Sequence, residues 1–86
     1  MKEFLEAIHG QFSIAIMKKD GTFSDEFINY RTYDENTKRL KAIRQKIELA
    51  ERTDLAIESI ASETEYYTIG KEHKECHYLL ICLKEI

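Results

Sequence analysis

The chain has 86 residues, room for one domain with a thin core, because a chain of this size buries only about 60–65% of its unfolded surface. Apolar residues make up 43% and charged residues 34%, a composition that excludes a disordered chain, and the net charge of −3 argues against a general nucleic-acid binder, which needs a basic face. No apolar run approaches the ~20 residues of a membrane span, and Met1-Lys2-Glu3-Phe4 lacks a signal-peptide core.

Met1–His9 places Phe4, Leu5 and Ile8 at helical spacing, with Gly10 to close the helix. Phe12–Lys18 carries Phe12, Ile14, Ala15, Ile16 and Met17 and reads as a well-buried strand. Asp20-Gly21 is a hairpin signal, since glycine tolerates positive φ. The return strand draws on Thr22, Phe23, Phe27, Ile28 and Tyr30, with an irregularity around Ser24-Asp25-Glu26. Asp34 can cap the next helix, and Glu35 favours its positive end. Leu40, Ile43, Ile47 and Ala50 then form one apolar stripe on a helix ending near Arg52. Leu55–Ala61 and Tyr66–Ile69 read as two further strands turned at Ser62–Thr64, and the Gly70–Glu75 loop leads into the last strand.

That last strand is the strongest signal in the chain. His77-Tyr78-Leu79-Leu80-Ile81-Cys82-Leu83 is an almost unbroken apolar run. A strand with one wet face alternates, so a continuous run predicts cover on both faces and a central place in the sheet. Ile14, Ile16, Leu80 and Cys82 are therefore expected to be inaccessible core positions. The predicted fold is α+β, one domain over residues 1–86. It is a five-stranded antiparallel sheet with the N-terminal helix on one face and the long central helix on the other, in the order α-β-β-α-β-β-β.

Cys76 and Cys82 lie six residues apart on one strand. Their alpha carbons are then ~20 Å apart, beyond the ~7 Å limit for a disulfide. Two free thiols and no secretion signal predict a cytoplasmic protein. His73, Cys76 and His77 are zinc-type ligands, but consecutive strand residues face opposite ways and a structural site needs a fourth ligand. No thiol is paired with a base in a way that marks a nucleophile. Gly21 alone is no phosphate-binding loop. The expectation is a non-enzyme with no catalytic residues, no cofactor and no metal, binding neither nucleic acid nor membrane.

On the central helix Lys38, Arg39, Lys41, Arg44, Lys46 and Arg52 outnumber Asp34, Glu35, Glu48 and Glu51. That is either a docking face for an acidic partner or, with more weight, a solvated face supported by Arg44–Glu48 at i, i+4. Tyr30, Tyr33, Tyr66 and Tyr67 suit an interface and equally suit strands.

Three stretches resemble the roadblock family of dynein light chains. That family includes subunits of the Ragulator scaffold and bacterial and archaeal relatives acting on small GTPases. The stretches are the short first helix running into Phe12-Ser13-Ile14-Ala15-Ile16-Met17-Lys18-Lys19-Asp20-Gly21, the amphipathic helix of residues 35–52, and Tyr78-Leu79-Leu80-Ile81-Cys82-Leu83. The chain stops at Ile86 without the family's third helix, as shorter members do. The resemblance implies a sheet with the first and last strands in its middle. It also implies a homodimer, or a heterodimer with a related subunit, made by the long helices side by side and by third strands pairing across the two-fold. It further implies a platform for motors or Ras-like GTPases that carries no catalytic residues.

With the stripe Leu40, Ile43, Ile47, Ala50 packed on the protein's own sheet, the expected dimer face is Arg39, Ala42, Lys46 and Leu49, together with Leu55, Ile57 and Ile60 on an edge strand. A different class of protein, a small mobile-element regulator such as a toxin or host-enzyme inhibitor, is the rival reading. Ribonuclease toxins of this size usually show a basic cleft, whereas this chain is acidic with three scattered histidines. A profilin-like or PAS-like ligand sensor would need an internal cavity, of which the bulky last strand gives little sign.

Overall fold

The computed structural model describes residues 1–30 and 36–86, without the side chains of residues 26, 27 and 36–38. The fold is α+β: α1 (Lys2–Ala7), β1 (Phe12–Met17), β2 (Phe23–Tyr30), α2 (Asn36–Ala50), β3 (Leu55–Ile69) and β4 (Glu72–Glu85). Asp34 and Glu35, expected at the start of α2, and Tyr33 lie outside the described residues.

β1 and β2 form the hairpin that Asp20-Gly21 predicts. Gly21 sits at φ +86°, and Lys18 N donates to Thr22 O at 2.7 Å. The Asp20 carboxylate accepts from Thr22 N at 2.9 Å and from Thr22 Oγ1 at 2.6 Å. These hydrogen bonds hold its carboxyl below the usual carboxylate range. The register shifts between Ala15 and Met17, opposite the stretch where the sequence reads as irregular.

The strand order is β2-β1-β4-β3. The first and last strands are central, as their apolar runs imply. Two features of the sheet differ from expectation. Leu55–Ala61 and Tyr66–Ile69 are parts of one continuous strand, β3, so the sheet has four strands among the described residues. It is also mixed rather than antiparallel, because β1 and β4 run parallel from Phe12↔Leu79 to Met17↔Lys84. The polar Ser62–Thr64 segment stays in the ladder, and the chain turns instead at Gly70, at φ +62°.

Alternation assigns the faces. Phe12, Ile14 and Ile16 of β1 and Ile81 and Leu83 of β4 join one core cluster with Leu5 and Ile8 near α1 and with Ala42, Leu49 and Ala50 of α2. α1 and α2 touch each other and share this cluster, so both helices cover the same face of the sheet. That corrects the expectation of one helix per face. The opposite face carries Ser13, Ala15, Tyr78, Leu80 and Cys82, and no helix covers it among the described residues. Leu80 and Cys82 are half-buried, while Ile81 and Leu83 are fully buried. The expected core positions on β4 are thus displaced by one residue, although Ile14 and Ile16 are buried as expected.

β1 reaches β4 only as far as Leu79. Beyond that point the β3–β4 hairpin continues as a two-stranded arm, with pairing out to Ile69↔Glu72. The arm accounts for a long axis of 45 Å against 24 and 20 Å for the others. At its base Cys76 is buried, and its Sγ donates to Gln11 Oε1 at 2.8 Å.

Candidate functional site

The orientation of α2 decides which residues can meet a partner. Ala42, Lys46, Leu49 and Ala50 face the core, at 2%, 7%, 6% and 3% exposure. Leu40 and Ile47 face solvent, at 62% and 53%, and Ile43 lies at the boundary. The helix is rotated from the orientation expected from its most apolar stripe. Ala42 and Leu49 are small or flexible enough to seat close against the sheet, and Lys46 lays its stem along the core with its ammonium at the edge.

The expected dimer face is corrected accordingly. Ala42, Lys46 and Leu49 belong to the protein's own interior, and so does Leu55, at 4% exposure. Ile57 packs partly against the core. Of the expected set, Arg39 and Ile60 are exposed. Ile60 lies on β3, which is an edge strand of the sheet. That edge is interrupted by a register shift between Ile57 and Ser59 and carries Glu58, paired with Lys84 at 3.1 Å. Bulges and charges of this kind blunt an edge against uncontrolled pairing.

Between the end of α1 and α2 lies an open cleft of about 420 Å³. Lys46, Arg39, Tyr30, Phe12, Ile43 and Ile47 are on its wall. Phe12 and Tyr30 meet edge to face, with centroids 5.8 Å apart. Arg39 stacks 5.2 Å from the Tyr30 centroid and Lys46 Nζ lies 5.4 Å from that of Phe12. Two rings thus hold two cations, an arrangement favoured by the negative faces of the rings. Lys46 Nζ also donates to Ile8 O. Burial pushes the Lys46 ammonium below its usual range.

The histidines and thiols are dispersed. His73 and His77 are hydrogen-bonded to Thr68 and Thr64 across the arm, at 3.4 and 2.9 Å. Cys76 takes the other face of β4. Among the described residues no group of three or more His, Cys, Asp and Glu is placed to hold a metal ion, and no helix is long and apolar enough to cross a membrane. Burial raises the pKa of the Cys82 thiol, with a smaller contribution from Glu58, which makes it a poorer nucleophile.

The sequence reading missed the outward stripe of α2 and the cleft. Lys46 was the available signal, a lysine at i+3 from Ile43 and i−3 from Leu49. Comparison of the chain with protein-family models, with curated proteins and with solved structures gave no match.

Proposed function

We propose that this protein is a non-enzymatic platform that works as a dimer and presents its surface to a protein partner. The observation that carries this reading is the outward stripe of α2. Leu40 and Ile47, at 62% and 53% exposure, continue into the boundary residue Ile43. Exposed single hydrophobic residues need no explanation, but an apolar stripe along one helix face is unfavourable in water at ~25 cal/mol per Å². The stripe suits a second copy of itself. In an antiparallel pair of α2 helices, Leu40 of each copy meets Ile47 of the other, and the Ile43 residues approach the two-fold axis.

A standard interface takes roughly 800 Å² from each partner, which is about an eighth of this chain's 6033 Å² surface. A 15-residue helix is about 22 Å long, so α2 with its flanks can supply much of that area. Helices side by side across a two-fold are also what the roadblock resemblance implies, and a Ras-like GTPase or a motor component is the partner class it suggests. Two free thiols suit a reducing, cytoplasmic setting.

Sedimentation of wild type and of Leu40→Glu/Ile47→Glu tests this reading. Wild type should be a dimer at high micromolar concentration, and the double variant a folded monomer. A monomeric wild type would overturn the dimer and with it the platform.

A further inference from the structure

We propose that the cleft between the end of α1 and α2 binds a small carboxylate with an apolar body, its carboxylate held by Lys46 and Arg39. Lys46 is only 7% exposed, yet no carboxylate pairs with it among the described residues. Its ammonium has three donors. One goes to Ile8 O, and the ammonium also lies over the Phe12 ring. A charge withdrawn this far from water, at the edge of the core, gains from an opposite charge beside it. An anion seated in the cleft would supply the missing acceptors and the missing opposite charge.

Arg39 lies seven residues earlier on α2, about two turns away on the same side of the helix. Its guanidinium is stacked on Tyr30, so it is pre-oriented over the same cleft. The two cations are separated by Ile43. Ile8, Phe12 and Ile47 complete an apolar wall. The cleft's volume of about 420 Å³ falls within the ~300–1,000 Å³ of small-molecule sites.

The lining selects the ligand class. A bare phosphate would leave the isoleucines and the rings unused. It would also bring a second negative charge towards Glu6, which borders the cleft beside His9 and Gly10. A monocarboxylate on an aliphatic chain uses both halves of the site.

The test is an amide-resolved NMR titration of the full chain with octanoate, with 1-octanol and inorganic phosphate as comparison probes. Octanoate should give saturable shifts at His9, Gly10, Tyr30, Ile43 and Ile47. Lys46→Met keeps the packed stem and removes the charge; it should weaken octanoate at least tenfold, ~1.4 kcal/mol. Arg39→Met, at an exposed position, should weaken it severalfold without disturbing the fold. Absence of saturable shifts would overturn the proposal, as would equal affinity in Lys46→Met. Octanol binding as tightly as octanoate would show an apolar groove without anion recognition, and phosphate binding as tightly would show a plain anion site; either result overturns it. Ile43 and Ile47 also border the proposed dimer seam, so the titration is repeated on Leu40→Glu. Retained binding there supports a cleft complete within one chain, and lost binding contradicts it.

Discussion

Ile81 and Leu80 are neighbours on β4, and the structure predicts opposite consequences for truncating them. Ile81 is fully buried and is flanked by Ile14 on β1 and Ile60 on β3, under the helical layer. Ile81→Ala leaves a cavity that the two neighbouring strands cannot close, a change that costs ~2–5 kcal/mol. Leu80 is half-buried on the face without a helix, so its removal leaves no enclosed void. Its loss should be about 1 kcal/mol, roughly half the transfer value of a fully buried leucine. A domain of this length has a total stability of roughly 4–13 kcal/mol, so Ile81→Ala removes a large share of it. In a urea titration with a slope of ~1 kcal/mol/M, the midpoint should fall by ~2–5 M for Ile81→Ala and by ~1 M for Leu80→Ala. Equal losses, or a larger loss for Leu80→Ala, would refute the assignment of faces and restore the two-sided sheet.

Other consequences are as direct. The folded pKa of Lys46 lies below its ordinary 10.5, so the unfolded chain holds that proton more tightly. Stability should therefore rise with pH between the folded value and about 10.5; in paired urea titrations across that range, Lys46→Met should lack this component, and identical slopes would contradict the burial of the charge. Gly70 turns the arm at φ +62°, a conformation that costs a residue with a Cβ ~1–2 kcal/mol; Gly70→Ala should lower the urea midpoint, and an unchanged midpoint would place the turn elsewhere. Ser13 is fully buried and donates to Asn29 Oδ1 at 2.6 Å; Ser13→Ala should cost ~1 kcal/mol, measured the same way, and a neutral result would show that Asn29 is satisfied without it.

The first hairpin and the two central strands were legible because each carries a local signal. The Asp20-Gly21 turn and the apolar runs at 12–17 and 77–83 fix the hairpin and the two central strands without tertiary information. The later elements were misread where solvent, rather than the core, sets the rules. Ser62–Thr64 looks like a turn, yet all three residues stay in the ladder, and Glu63 and Thr64 lie in an arm with no third strand beside it among the described residues, so nothing requires them to be apolar. Gly70 was the true turn signal. The run at 77–83 suggests cover on both faces because Leu80 and Cys82 are apolar, but they lie on the face that no described helix covers and are only half-buried.

The orientation of α2 matters most for function, and the hydrophobic pattern alone does not reveal it. Pattern alone favours Leu40, Ile43, Ile47 and Ala50 as the inward stripe, since Lys46 reads as a surface residue; Ala50 is buried as expected, while Leu40 and Ile47 are exposed. The core accepts Lys46 because Ile8 O and the Phe12 ring receive its ammonium, contacts between segments far apart in sequence. The same rotation exposes the proposed dimer seam and brings Arg39 and Lys46 to the wall of the cleft.

The most direct test of the platform reading is sedimentation equilibrium on wild type and Leu40→Glu/Ile47→Glu at matched high-micromolar concentration, with circular dichroism to confirm that both are folded. Association through α2 gives a dimer mass for wild type and a monomer mass for the variant. A wild-type monomer, or a dimer that survives both substitutions, would contradict association through the outward stripe of α2.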